Sequence, residues 1–297
     1  MPEPHGHAAS HQHGSPADGH DVDPMLDLDA EVLHEYWSTA LAWVHQAADR
    51  GARHRLLDLG AGTGTGSIGL AQRFGGAEIV AVDVSPASLR RLREKAVDLG
   101  LADRIRTVEA DLDAGWPDVG SFDVTWASMS LHHFADPTRV LRDVLAATRP
   151  GGLIAVAELT EPLRFLPDDL GFGSPGFEAR AIAALGAAHA ATMPTLGSAW
   201  APRLTDAGWT VVDERDVVID LDPPQHPDAA RYARAWFARL ADGSADRLEP
   251  DDRTTLAALL DEDDARAPLE RAKLHIRGVR TVTLARRRPE LISTALG

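Results

Sequence analysis

The stretch "LLDLGAGTGTGSIGLA" (residues 56–71) gives the strongest indication of the fold. A short apolar run ends in an aspartate, glycines then crowd together, and the residues after them favour a helix. Glycine-rich turns between a strand and a helix often hold nucleotides, because only glycine lets the backbone approach a ligand so closely. The stretch therefore predicts a βα unit that binds a nucleotide or a nucleoside.

The spacing of these glycines distinguishes between two kinds of ligand. Dinucleotide-binding turns prefer G-x-G-x-x-G, which places a pyrophosphate at the N-terminus of a helix. Here Gly60, Gly62 and Gly64 follow the strand as G-x-G-x-G. The dinucleotide spacing fits only Gly64, Gly66 and Gly69, where the chain should already be helical. The turn thus favours a nucleoside that carries no phosphate, and a nicotinamide oxidoreductase is disfavoured.

Strands and helices alternate after this stretch. The predicted strands cover residues 55–59, 78–83, 104–110, 122–128, 152–159, 209–220 and 276–287. Ser85 and Asp136 are predicted to cap two of the intervening helices, and each precedes a proline at the first helical position. Regular βα alternation predicts an α/β protein with a doubly wound, mostly parallel sheet covered by helices on both faces.

Asp83 stands at the end of the second predicted strand, about 20 residues beyond the turn. A carboxylate at that place in the fold can accept hydrogen bonds from both hydroxyls of a ribose. The residue therefore predicts that the ligand contains a ribose.

Five segments occur in a familiar order: "LDLGAGTGTG", "AVDVS", "VEADLD", "FDVTWASMSLHHF" and "RPGGLIAVAE". Together they resemble the signature segments of class I S-adenosylmethionine-dependent methyltransferases, over about residues 52–160. The resemblance implies a Rossmann-like sheet of seven strands whose last strand is antiparallel and inserted. It also implies S-adenosylmethionine as cofactor and S-adenosylhomocysteine as product.

The resemblance assigns roles to individual positions. The three glycines of the turn would line the methionine portion of the cofactor, and Asp58 would fix the turn and meet the amino group. Asp83 would bind the ribose. The remaining contacts would come from Val84 and Asp111 to the adenine, from the backbone of Leu112, and from Ala127 after the fourth strand. For Asp111 a role as the cap of a turn remains the alternative.

The catalytic residues are unknown from the sequence. Methyl transfer from a sulfonium needs alignment of the acceptor and exclusion of water, and a base is optional. His132 and His133 follow the fourth strand and could take a proton from the acceptor. Packing or a role beside the cofactor is the alternative for both histidines.

The chain divides into four predicted parts. Residues 1–24 are predicted to form a disordered, histidine-rich tail. Residues 25–51 are predicted to form a helical cap on the core, with Asp27 or Asp29 as the N-cap of its helix. The cofactor-binding core would span residues 52–160. Residues 161–297 would complete the fold, with helical insertions at about 161–197 and 222–273 that wall the acceptor pocket.

Several side chains in the added parts could build that pocket. The candidates are Tyr36, Trp37, His133, Arg164, Phe165, Trp200 and Trp236. For each aromatic residue, packing in the core is the alternative.

Composition excludes several classes of function. A net charge of −15 argues against binding nucleic acid, and no apolar run approaches the length of a membrane span. The absence of cysteine excludes disulfides and thiolate chemistry, and no metal site is predicted. A cytoplasmic protein, monomeric or homodimeric, is expected.

The sequence thus predicts methylation of an oxygen or nitrogen of a small natural product in a bacterial tailoring pathway. A peptide methyltransferase, acting for example on a C-terminal carboxylate with Arg164 or Arg180 as the recognising group, remains an alternative. A partner protein that binds S-adenosylmethionine without catalysis is the other alternative.

Overall fold

A computed structural model describes residues 24–49, 54–190, 192–222, 226–261 and 273–289, together with Leu269. Seven strands form one sheet in the order β3-β2-β1-β4-β5-β7-β6. The first five strands run parallel, and β7 is antiparallel to both of its neighbours, β5 and β6. The predicted doubly wound, mostly parallel sheet with an inserted antiparallel last strand is confirmed. The strands are β1 (Arg55–Leu59), β2 (Glu78–Asp83), β3 (Ile105–Glu109), β4 (Phe122–Ser128), β5 (Thr148–Leu159), β6 (Thr210–Leu221) and β7 (Ile276–Arg286).

Helices cover both faces of this sheet, as the continuous apolar character of the strands requires. Short 3-10 helices also occur at Leu131–His133 and Ala245–Arg247. The α-helices are α1 (Pro24–Val32), α2 (His34–Ala47), α3 (Thr65–Arg73), α4 (Pro86–Asp98), α5 (Pro137–Ala147), α6 (Phe177–His189), α7 (Trp200–Asp206), α8 (Ala229–Ser244) and α9 (Pro250–Leu260).

Two predicted helix caps have the expected geometry. The hydroxyl of Ser85 accepts a hydrogen bond from the backbone N–H of Ser88 at 3.2 Å. The carboxylate of Asp136 accepts one from Arg139 N–H at 2.9 Å. These bonds satisfy backbone donors that the first turn of a helix leaves without partners.

The N-terminal part differs from its prediction. In place of one helix, the chain forms α1 and α2 with a break at Leu33, whose φ of −98° and ψ of 31° are not helical. Asp29 lies inside α1 and is buried, so it caps nothing. The tail through residue 23 and the expected end of this part, residues 50–51, lie outside the described residues.

The core has one cluster of apolar side chains on each face of the sheet. One face of β1 and β4 packs through Leu56 and Trp126 against α2 and α3, and this cluster continues into α8. The other face packs through Leu57 and Ala127 against α5 and α7. The apolar stripe of α8, which the sequence predicts at helical spacing, is buried in the first cluster: Ala233, Trp236, Phe237 and Leu240.

Candidate functional site

The glycine turn lies between β1 and α3, where the strand order of the sheet reverses. Gly60, Gly62 and Gly64 have φ values of 68°, 52° and 87°, a region that side chains other than hydrogen rarely allow. A Cβ at Gly60 would overlap with Ser130, and a Cβ at Gly64 would overlap with Leu92. Two of the three glycines are therefore required by the packing of the protein itself.

Gly62 is different, because a side chain there would not overlap the protein. A Cβ at this residue would meet only Leu26, on α1, at an ordinary contact distance of 3.6 Å. The packing around Gly62 therefore does not by itself require a glycine.

Asp83 ties this turn to the end of β2. One carboxylate oxygen accepts a hydrogen bond from Gly62 N–H and the other accepts one from Ser85 N–H, both at 2.8 Å. The acid therefore shapes the turn, and each oxygen keeps lone pairs that can accept from a ribose hydroxyl. Val84 follows with 63% of its surface exposed, which leaves an apolar side chain beside the turn.

Asp58, on β1, lies buried beneath the turn. Its carboxylate accepts a hydrogen bond from Ser67 Oγ at 2.6 Å and forms no salt bridge within the described ranges. Burial, with a smaller contribution from the charge of Asp83, raises the pKa of Asp58 to about 7. A buried carboxylate of this kind is stabilised in its charged form by a cation brought by a ligand.

The remaining predicted cofactor residues lie farther along the carboxyl edge of the sheet. The exposed side chain of Asp111 accepts a hydrogen bond from Asp113 N–H at 2.9 Å, so it closes a turn, as the alternative reading expects. Leu112 is buried, and its carbonyl accepts from Arg139 Nη2 at 2.6 Å. Ala127 is fully buried within β4.

His132 lies just after β4, where buried hydrogen-bonding partners surround its side chain. Its Nδ1 lies 2.6 Å from Oε2 of Glu158, near the end of β5. The other oxygen of Glu158 accepts hydrogen bonds from the backbone N–H groups of Ser130 (3.0 Å) and Leu131 (2.9 Å). Both side chains are buried, so the imidazole has a fixed orientation. Glu158 is a residue that the sequence reasoning missed.

His133 lies against His132, with ring centroids 4.2 Å apart. Desolvation within the cleft lowers the pKa of His133, and the charges of His132, Arg239 and His189 lower it further. The residue is nevertheless exposed to solvent. His133 is therefore uncharged near neutral pH and is a weaker base than an ordinary histidine.

The pocket candidates separate into two groups. Phe165 and Trp236 pack in the core, with ring centroids 5.3 Å apart, and Trp200 is buried on the other face of the sheet. Tyr36 is buried in the same cluster as Phe165, with its ring centroid 5.6 Å from that of Trp37, and Trp37 lies 6.2 Å from Trp126 of β4. The basic group Arg164 is exposed at the surface.

Asp29 and Arg280 form a buried ion pair that joins α1 to β7. Both terminal nitrogens of Arg280 donate to the two oxygens of Asp29. Tyr232 Oη and Trp37 Nε1 also donate to this carboxylate, at 2.7 and 3.0 Å. Although burial opposes ionisation, Arg280 and these donors hold the pKa of Asp29 below its usual range. The sequence reasoning missed this pair as well.

Helix α1 covers the glycine turn. The carboxylate of Asp27 accepts hydrogen bonds from Thr63 Oγ1 of the turn (2.6 Å) and from Lys95 Nζ of α4 (2.8 Å). Although partial burial opposes ionisation, Lys95 and Thr63 hold the pKa of Asp27 below its usual range. The N-terminal helix is thus fastened over the turn.

Two cavities are found among the described residues. One of about 410 Å³ lies between residues 172–174 and α9, and one of about 320 Å³ lies between the N-terminal helices and α3. Neither is lined by Asp83 or His132. Within the described ranges no helix is long and apolar enough to cross a membrane, and no group of three or more histidine or acidic side chains could hold a metal ion.

Comparison with known proteins gives the class. Residues 56–152 match a family model described as a methyltransferase domain. Together with the seven-stranded sheet and the glycine turn, this match supports a class I S-adenosylmethionine-dependent methyltransferase fold for these residues.

Individual relatives are similar over this core. The chain is 34% identical to a demethylmenaquinone methyltransferase of Thermus thermophilus over 48% of this chain and 64% of that protein. It is 31% identical to a 27-O-demethylrifamycin SV methyltransferase of Amycolatopsis mediterranei over 46% of this chain and 54% of that protein. The chain therefore spans less than two thirds of the length of these relatives.

A solved structure resembles nearly the whole fold. The [4+2]-cyclase SpnF superposes with a TM-score of 0.53 at 22% identity, over 85% of this chain and 81% of that one. This likeness concerns the fold alone, and a protein described as a cyclase shares it. Fold by itself does not define the reaction.

Proposed function

We propose that this protein transfers the methyl group of S-adenosylmethionine to an oxygen or nitrogen of a small natural product. The observation that carries the proposal is the glycine turn at Gly62, bonded to Asp83, within a stretch that matches a methyltransferase domain. Bound S-adenosylmethionine supplies an electrophilic methyl group with a neutral thioether as leaving group.

The residues fit this cofactor at its charged end. Asp58 is a buried carboxylate that pairs with no cation among the described residues, which suits the ammonium group of the methionine portion. The turn from Gly60 to Gly64 would hold the methionine chain with its backbone. This match of charge does not arise for a nicotinamide dinucleotide, whose pyrophosphate would meet an acid.

The other end of the cofactor would lie toward β2 and β3. Asp83 would accept hydrogen bonds from the ribose hydroxyls while it keeps its bonds to the turn. Val84 would pack on the adenine, which explains an exposed apolar side chain at this place. Asp111 and the backbone of Leu112 would meet the edge of the base, and Ala127 would stand behind the cofactor.

His132 is the better of the two candidate bases. When Nδ1–H donates to Glu158, the Nε2 atom is the one left to take a proton from the acceptor. The carboxylate then stabilises the imidazolium that forms. The lowered pKa of His133 makes it the weaker candidate, with a role in packing against His132.

The natural-product assignment is supported by the rifamycin-related protein, which acts at an oxygen of such a compound by its name. The relative from Thermus thermophilus is named for methylation of demethylmenaquinone, so a quinone acceptor is a second candidate. The peptide alternative has lost one of its two basic groups, because Arg180 donates to both oxygens of Asp252 at 2.8 Å. Arg164 remains for that alternative.

A partner protein that binds S-adenosylmethionine without catalysis stays the alternative of a different class. Calorimetric titration with S-adenosylhomocysteine, with NADH as the matched control, tests cofactor choice. S-adenosylhomocysteine should bind and raise the melting temperature, and NADH should do neither. Transfer of a labelled methyl group to members of a panel of phenols and amines then separates an enzyme from a binding protein.

A further inference from the structure

Ser130 contacts both halves of the proposed active site. Its hydroxyl donates a hydrogen bond to the carbonyl of Leu59, the last residue of β1 before the glycine turn, at 2.8 Å. Its backbone N–H donates to Oε1 of Glu158 at 3.0 Å, and the other oxygen of that carboxylate lies 2.6 Å from Nδ1 of His132. One buried residue therefore connects the strand that carries the turn with the group that orients the candidate base.

The side chain of Ser130 also packs against the turn itself. A Cβ built on Gly60 would come within 2.4 Å of Cβ of Ser130, so the serine fills the space that a side chain at Gly60 would need. The backbone of Gly60 is fixed in turn to β2, because its N–H donates to the carbonyl of Val82 at 2.9 Å. Ser130 thus lies against a part of the turn that is itself held in place.

The backbone just before Ser130 has an uncommon conformation. Met129 has a φ of 53°, and among the described residues it is the only one other than glycine with a positive φ. Such a conformation costs free energy and persists where surrounding contacts hold it. Here Met129 N–H donates to the carbonyl of Ala157 at 2.9 Å. Directly beyond it, the N–H groups of Ser130 and Leu131 both donate to Glu158.

The sheet alone does not connect the turn with these residues. The pairing of β1 with β4 ends at Leu59 and Ala127, so the turn and residues 129–133 both lie beyond it. Methyl transfer requires the donor, the acceptor and any base to be aligned, and a displacement of about 1 Å can cost about 10²-fold in rate. A contact that spans the two segments beyond the sheet is therefore suited to fix their separation.

We propose that Ser130 is a positioning residue that holds the glycine turn and the His132–Glu158 pair at a fixed separation, and so sets the distance from the methyl group to the base. The proposal rests on the proposed function, because it takes the turn as the cofactor site and His132 as the base. Ser130 does not itself transfer the acceptor's proton, since its hydroxyl donates to Leu59.

The test compares two matched variants, Ser130→Ala and Ser244→Ala. The hydroxyl of Ser244, on α8, also donates to a backbone carbonyl at 2.8 Å, that of Leu240, and this serine is buried as well. Each variant thus loses one buried hydrogen bond of the same kind, with a similar cost in stability. If Ser130→Ala does not fold, Ser130→Cys replaces it, because a thiol keeps the shape of the side chain but is a weak donor.

The first readout is the imidazole nitrogen NMR signals of His132, recorded without ligand and assigned with His132→Ala. These signals should shift or split in Ser130→Ala, because the imidazole loses its fixed orientation. They should match the wild type in Ser244→Ala. Unchanged His132 signals in Ser130→Ala, or equal changes in the two variants, would leave Ser130 a role in stability alone and overturn the proposal.

Calorimetric titration with S-adenosylhomocysteine is the second readout. Affinity should fall about three- to tenfold in Ser130→Ala, as expected when the turn loses one supporting hydrogen bond, and hold in Ser244→Ala. Wild-type affinity in Ser130→Ala would show that the serine supports the His132 side alone, which contradicts the proposed link. If the wild type itself does not bind S-adenosylhomocysteine, the proposed function fails, and the His132 signals still decide whether Ser130 positions the His132–Glu158 pair.

Discussion

The side chain of Leu92, on α4, fills the space into which a side chain at Gly64 would project. Two residues earlier, the space beside Gly62 holds no protein atom closer than 3.6 Å. The same glycine motif therefore contains a position that the fold requires and a position that a ligand can use.

Replacing these two glycines by alanine should separate stability from binding. Gly64→Ala adds a methyl group against Leu92 at a φ of 87°, and it should destabilise the protein by about 2–4 kcal/mol. Gly62→Ala should cost only about 1 kcal/mol for its backbone conformation. Thermal and denaturant unfolding of both variants measure the difference.

The losses of affinity for S-adenosylhomocysteine should follow the opposite order to the losses of stability in these two variants. Gly62→Ala should weaken S-adenosylhomocysteine binding by about tenfold or more, because its methyl group enters the space for the ligand. Normal affinity in that variant, measured by calorimetry, would contradict the assignment of Gly62 to the cofactor.

Asp83→Ala should weaken S-adenosylhomocysteine binding by about 30- to 1000-fold. The substitution removes a charged acceptor for two ribose hydroxyls, at about 2–4 kcal/mol in total, and it also frees Gly62 N–H. Glu109 ends the neighbouring strand β3 with an exposed side chain, so Glu109→Gln is the matched control. It should leave affinity unchanged. If Asp83→Ala binds as tightly as the control, the ribose lies elsewhere.

The sequence predicts the sheet because its strands are short apolar runs and because βα alternation permits few topologies. The caps at Ser85 and Asp136 follow from local chemistry, and the structure confirms both. Local patterns of this kind suffice for the frame and for the position of the glycine turn.

The partners of charged side chains lie far away in the sequence, so local patterns do not predict them. Asp29 bonds with Arg280, 251 residues later in the chain, and nothing in α1 alone distinguishes this aspartate from a helix cap. Glu158 and His132 come together only because β4 and β5 are neighbours in the sheet. The same holds for Phe165, whose burial depends on α8. Such residues need the tertiary structure before they can be assigned.

The raised pKa of Asp58 predicts how stability depends on pH. The folded protein holds a proton on Asp58 up to about pH 7, whereas the unfolded chain releases it near the ordinary value of 3.8. The folded state therefore binds more protons between these values, and this residue's contribution to stability falls as the pH rises from about 4 to 7. Asp58→Asn should gain stability relative to the wild type across that window.

Cofactor binding should show the reverse dependence on pH. If an ammonium group pairs with Asp58, wild-type affinity for S-adenosylhomocysteine should increase between pH 5 and about 7 as the carboxylate ionises, with release of protons on binding. Asp58→Asn should bind more weakly and without this dependence. Calorimetry in buffers of different ionisation enthalpy measures the released protons, and their absence would refute the pairing.

The last prediction concerns the proton of the acceptor. His132→Ala should lower kcat by about 10²–10⁴ while affinity for S-adenosylhomocysteine holds, because the residue acts on the acceptor. Glu158→Gln should lower kcat in the same direction. An amide that donates to Nδ1 leaves the proton on Nε2, which is the wrong tautomer for a base.

His133→Ala is the control, since the imidazole of His133 has a lowered pKa and lies tilted against the ring of His132. It should change kcat by no more than about fivefold, well below the effect expected of a base. A fall in melting temperature with kcat unchanged in His132→Ala would assign His132 and Glu158 to packing, and the acceptor would then lose its proton to water.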